Sequence, residues 1–246
     1  MLLKLLAVEL LKVRRSLALL MMFAIALMVV ALNVLMLVKQ YPLAAMGPAH
    51  WLRLWQNSAG LWCYFMLPLY IALVTGLLNG QEHRNHTWRL MLTLPVTQLQ
   101  LFAVKALLAW LFVAGATLVL GAGTALSMLV LGAAGASLDG AFAFPVLAAL
   151  GKATLGCLPV LVIQHAVSWR FQNLTAPLAV GVVATMGITQ VGSSSYWVWY
   201  PWTYATMAVM GSEAASRQQA LALAAGVGAL LFAAAAAALA RREVES

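Results

Sequence analysis

Residues 16–38 read SLALLMMFAIALMVVALNVLMLV, an apolar run without a single charge. The hydrocarbon core of a bilayer is about 30 Å thick, and about 20 consecutive apolar residues in a helix cross it. The run shows no alternation of polar and apolar residues, so it does not read as a barrel strand. With no water in hydrocarbon, every backbone N–H and C=O needs a partner within the segment, and a helix supplies them. The rest of the chain has the same character: its 246 residues are 64% hydrophobic and 8% charged. Soluble domains carry about 25% charged residues, and a fold of this size could not hide so much apolar surface from water. Lipid must solvate much of it.

Five more apolar runs follow, at about residues 59–79, 99–131, 141–168, 174–191 and 220–240. They predict an all-α integral membrane protein, one transmembrane domain over residues 1–246 with six transmembrane helices. The run 99–131 is longer than a bilayer needs, so it tilts or its first turns protrude, with Lys105 on those turns snorkelling outward. Residues 1–15, MLLKLLAVELLKVRR, predict an amphipathic interfacial helix leading into an uncleaved first span, because no small-residue cleavage site follows the next apolar run. Between the first two spans, Trp51 and Trp55 share a helix face and suit the headgroup layer.

The bias of Lys and Arg sets orientation. With the N-terminus inside, the inner face holds Lys4, Lys12, Arg14, Arg15, Arg84, Arg89, Lys105, Arg170, Arg241 and Arg242, and the outer face only Lys39, Arg53 and Arg217. Both N- and C-termini are therefore expected in the cytoplasm, which requires an even number of spans. The net charge of +8 fits this asymmetry and contact with anionic lipid. Basic residues scattered around apolar runs do not form a nucleic-acid surface, so no nucleic-acid partner is expected.

Catalytic signatures are missing. The only Gly-Lys pair, Gly151-Lys152, is followed by Ala153, and Val146 stands where a Walker A motif needs its first glycine. There is no HExxH, and His83 and His86, three apart, have no third metal ligand at a sensible spacing. No serine sits on a Gly-rich nucleophile turn. Cys63 and Cys157 lie in apolar runs and read as small buried side chains. All acidic residues lie in loops, tails or the interfacial helix, against an ion-coupled carrier with paired intramembrane acids. A non-ATP-driven carrier or an assembly scaffold remains the rival reading.

The most informative polar stretch is residues 82–105, EHRNHTWRLMLTLPVTQLQLFAVK. Charges come first, then Thr87, Trp88 and Arg89, an apolar turn, and Pro95 where a new helix can start. This pattern describes either a short amphipathic helix facing a cytoplasmic partner or an ordinary interfacial loop. The stretch resembles the signature of ABC-2-type permeases: an inner loop with Glu82 and Thr87, then Leu94-Pro95-Val96-Thr97 and Lys105. The Thr87-Trp88 pairing and compact size are most similar to the lantibiotic-protection (bacteriocin immunity) permeases of the bacterial cytoplasmic membrane. The resemblance implies a permease subunit of an ATP-driven exporter that clears an amphipathic peptide or other lipophilic compound. It implies two permease subunits, identical or paralogous, and two ABC ATPase subunits that hold the ATP and Mg, with no cofactor in this chain. It also implies that Glu82, Arg84, Thr87, Trp88 and Arg89 couple to the ATPase, with Arg170 as a second contact.

Two features are expected along the substrate path or the subunit interface. Residues 196–204, YWVWYPWTY, read as an outer aromatic belt or as a gate carrying Trp197, Trp199 and Trp202. The family resemblance implies re-entrant helices between spans five and six. Lys152 is a lone charge within span four; such a charge costs at least about 2.5 kcal/mol and should face protein or water, unless the span is shifted and Lys152 snorkels.

Overall fold

The structure, a computed structural model, describes residues 2–14, 16–84, 97–171 and 173–245, with the backbone alone at 81–84 and 242–245. No strand occurs among them. An interfacial-type helix α1 (Leu2–Val13) precedes α2 (Leu17–Gln40), in accord with the charge-free run at 16–38. Next come α3 (Pro48–Leu61) and α4 (Leu67–Arg84), joined by a π-helical turn at Trp62–Met66. The helix α5 (Gln98–Ala133) follows, then α6 (Val146–Gly156), α7 (Leu158–Arg170) and α8 (Thr175–Val191). Two short 3₁₀ turns, Ser195–Trp199 and Pro201–Thr203, lead into α9 (Tyr204–Met210) and the long α10 (Ala214–Glu245).

Four stretches are long and apolar enough to cross a membrane: Leu17–Gln40, Pro48–Gly80, Gln98–Ala133 and Ala214–Arg241. The bent pair α6–α7 makes a fifth, and α8, at 17 residues, is shorter. Buried side chains make up 67% of the apolar window in Pro48–Gly80 but 28% in α2 and 17% in α10. The second of these spans is thus the hub. Its lower half, α4, packs on α5, α7 and α8, while α2 and α10 form the rim.

Several local expectations are corrected. Residues 48–58 are helical and run on into the stretch expected as span two, so that helix starts well before residue 59. Trp51 and Trp55 are buried in protein rather than exposed on the helix surface. Their indole N–H groups donate to the carbonyls of Ser137 (2.8 Å) and Ala141 (3.0 Å), so the 134–144 connector folds over them. Gly140, at φ +68°, lies against Pro48, where a side chain would meet both strain and a clash. The π turn falls just before Pro68, and its widened register, with Leu67 N–H bonded to the Trp62 carbonyl, absorbs the missing proline donor. Span four is not one rod over 141–168. Residues 141–145 lie outside the helix, and α6 and α7 meet at a 42° bend where Pro159 occupies the first turn of α7. The break lets α9 nestle against α6: a Cβ at Gly156 would lie 2.7 Å from the Ala205 backbone. Cys63 and Cys157 are free and buried.

Candidate functional site

The densest polar cluster lies at the end of the bundle where α4 stops and α5 starts. Lys105 does not snorkel outward. It is 1% exposed, its ammonium 3.0 Å from the Glu9 carboxylate of α1 and 3.1 Å from the Leu78 carbonyl of α4. The other Glu9 oxygen accepts from Lys12 at 2.6 Å. α1 is therefore not merely amphipathic. Its Leu5, Glu9 and Val13, one residue per turn, are buried, and α1 packs along α5. Leu5 and Leu6 meet Leu101, Val104 and Trp169, which closes the ion pair off from solvent. An apolar environment makes an unpaired charge expensive, so the two cationic side chains and the carboxylate hold one another in place.

One helical turn away, the Asn79 amide of α4 donates to Ser168 Oγ (2.6 Å) and meets His165 Nδ1 at 3.1 Å; both partners are on α7. His165 Nε2 lies 3.1 Å from the Phe102 carbonyl of α5. If Asn79 donates to Nδ1, then Nδ1 is an acceptor and Nε2 carries the proton toward Phe102, so the neutral imidazole satisfies both contacts. The Phe102 ring packs between His165, Trp169 and Phe232, which brings in α10. On the other side of α7, the Gln164 amide, oriented to satisfy both its atoms, donates to the Pro177 carbonyl and accepts from the Gly181 N–H, each at 3.1 Å. α5 itself starts sharply: Thr97 Oγ1 accepts from the Gln100 N–H, and Gln100 Oε1 accepts from the Thr97 N–H, both at 3.2 Å. The described span three thus begins at Gln98, with Thr97 as its cap. Pro95 lies outside the described residues.

This junction brackets the stretch from which a coupling element is expected. Glu82 and Arg84 belong to the last turn of α4, where the backbone alone is described. Thr87, Trp88 and Arg89 lie outside the described residues, as does His86. Arg170 is exposed at the C-terminus of α7, two residues beyond Ser168, and so at the same end as the junction.

The residues expected along a substrate path do not form one surface. Trp197 is buried with Tyr204, Ala208 and the α10 residues Ala220 and Ala224. Trp202 is buried in the main core, its indole N–H without a hydrogen-bond partner among the described residues, and Trp199 is 82% exposed. The aromatic segment is braced by its own hydroxyls: Tyr200 donates to the Ala184 carbonyl (2.5 Å) and Tyr204 to the Val198 carbonyl (2.6 Å). Lys152 is partly buried on α6 and makes no hydrogen bond or ion pair among the described residues. Among those residues no group of three His, Cys, Asp or Glu side chains could hold a metal.

Sequence reading missed Glu9, Asn79, His165 and Gln164 as members of one site. The available signal was that each is a polar residue in or beside an apolar run, where polar groups are rare and face protein. Thr97-Gln-Leu-Gln100 is likewise a legible capping box.

An all-helical bundle of several apolar stretches long enough to cross a bilayer is that of a multi-pass membrane protein. The chain belongs to the ABC-2 family transporter proteins, whose family model matches residues 5–188. That range runs from α1 into α8 and contains the whole junction apart from Phe232. Proteins of this family are membrane subunits, generally without catalysis of their own, that partner with an ABC ATPase subunit. The lantibiotic-protection subfamily is not singled out by the match. Comparison with curated proteins and with solved structures finds no significant match.

Proposed function

We propose that this chain is the membrane-spanning subunit of an ATP-driven exporter in a bacterial cytoplasmic membrane. It works as one of two permeases, identical or paralogous, above two ATPase subunits that bind ATP and Mg. In this reading α8 is a sixth span and both termini are cytoplasmic. Residues 81–96 dock on the ATPase through Glu82, Arg84, Thr87, Trp88 and Arg89, with Arg170 beside them. The observation that carries the reading is the buried junction, in which Glu9, Asn79, Phe102, Lys105 and His165 join α1, α4, α5 and α7 at both roots of that segment. A push on the segment would reach four helices at once, because packed, hydrogen-bonded elements move as bodies.

The cargo proposed from the lantibiotic-protection resemblance is an amphipathic peptide or similar lipophilic compound. Lys152 and Trp199, neither of them fully enclosed, are offered to the subunit interface or the substrate path, and Trp197 and Trp202 support the wall behind. The decisive experiment is co-purification from native membrane with identification of the bound ATPase. Trp88→Ala with Arg89→Glu should abolish the association and leave the chain in the membrane. Association that survives both substitutions rejects the docking segment, and a chain that purifies with no ATPase favours the carrier or scaffold.

A further inference from the structure

A cavity of about 730 Å³ lies between α1, α2 and α5, apart from the polar junction. Its walls are Ala7, Leu10, Leu11 and Val13 of α1, Leu19 and Met22 of α2, and Leu111, Phe112 and Gly115 of α5. These side chains are apolar throughout. The single charge on the lining is Arg14, at the rim beyond the end of α1. Ala7, Leu10 and Leu11 of α1 and Arg14 just after it follow helical spacing, and buried Val13, where this stripe meets the one packed on α5, completes the lining. One face of α1 thus binds protein, while a second overhangs an open apolar cleft.

We infer that this cleft holds an acyl chain of an anionic membrane phospholipid whose phosphate pairs with Arg14. Three observations converge. An amphipathic helix at a membrane surface sinks its apolar face about 5–10 Å, to the boundary of headgroups and acyl chains, which sets Leu10 and Leu11 at chain depth and Arg14 at phosphate depth. The Arg14 side chain is exposed and makes no hydrogen bond or ion pair among the described residues. The nearest acid in sequence, Glu9, is turned into the protein and held by Lys12 and Lys105. A guanidinium beside a wholly apolar cleft matches a phosphate joined to a hydrocarbon tail, since its planar fork pairs with phosphate oxygens. The cleft's volume is within the range of ligand-holding pockets. A chain seated there would fasten α1 to the leaflet and, through Glu9 and Lys105, fasten the start of α5 with it. The inference does not depend on an ATPase partner.

The test uses the full chain in phosphatidylcholine vesicles doped with phosphatidylglycerol bearing a photoactivatable group in mid-chain. Irradiation should place label on Leu11, Met22, Leu111 or Phe112, read by mass spectrometry. Arg14→Gln should cut that label about fivefold, Arg14→Lys should retain most of it, and photoactivatable diacylglycerol should label wild type and Arg14→Gln equally weakly. Ala7→Trp, which fills the cleft from an exposed position, should lower label from both probes. The inference fails if label spreads evenly over outward side chains such as Leu35 and Leu230, or if diacylglycerol labels the cleft as well as phosphatidylglycerol does. It fails equally if Leu11→Cys and Leu111→Cys on separate copies cross-link, because a second copy would then fill the cleft.

Discussion

Glu9 serves two lysines, and the two are not equivalent. Lys105 is enclosed, whereas the Lys12 side chain keeps 29% of its surface in solvent. Removing one member of a buried pair costs about 3–5 kcal/mol, because the partner is left charged without compensation. Glu9→Gln should therefore be the most damaging change at the junction: it removes the buried carboxylate that faces the enclosed Lys105 ammonium at 3.0 Å. Lys105→Met should cost less, since Glu9 keeps Lys12. The double variant Glu9→Gln/Lys105→Met should recover part of the loss, as coupled sites do. Apparent unfolding temperature of the purified chain in detergent checks all three, and additive losses would deny the coupling. Part of this was open to sequence reading: a lysine at the edge of an apolar run demands an explanation. The partner was not readable, because Glu9 reaches Lys105 only when α1 folds back along α5. The same holds for His165 and Asn79, 86 positions apart in the chain and 3.1 Å apart in space.

Among the elements, legibility follows the range of the interactions that define them. α2 could be read from its own residues, since nothing but an apolar helix suits a charge-free run of that length. The opening of the second span could not, since Trp51 and Trp55 become core only when the connector 86 positions later supplies carbonyl acceptors. Span four broke where two prolines, Pro145 and Pro159, already stood in its sequence, so its bend was a local signal that the length of the apolar run masked. The start of α5 is local too. Its capping box ties Thr97 and Gln100 reciprocally, and loss of such a cap costs about 1 kcal/mol. Thr97→Ala should let the first turn fray at the root of the proposed docking segment. Thr97→Ser should behave as wild type. Backbone hydrogen exchange at residues 98–101 should rise severalfold in the first variant and stay unchanged in the second. Equal protection in both would mean that packing of Leu101 and Phe102, not the cap, holds the turn.

At the scale of the whole molecule the open quantity is the number of crossings, and it turns on α8. At 17 residues this helix is about 26 Å long, a little under the hydrocarbon thickness of about 30 Å. Local thinning or flanking residues can absorb such a mismatch at modest cost. The alternative is that α8 fails to cross, and then the chain on its two sides shares one face of the membrane. Asn173 precedes α8 and Ser212 follows the aromatic segment; both are exposed. The two native cysteines are buried, so a single introduced cysteine gives a clean signal. With six spans, Ser212→Cys should react with a membrane-impermeant maleimide on intact cells, while Asn173→Cys and Asn85→Cys should react only after lysis. If α8 stays on one side, Asn173→Cys and Ser212→Cys must behave alike, and the chain beyond α10 changes sides. If Asn85→Cys labels on intact cells, the orientation is inverted. In that case the segment between α4 and α5 faces away from any ATP-hydrolysing partner, whatever the number of spans.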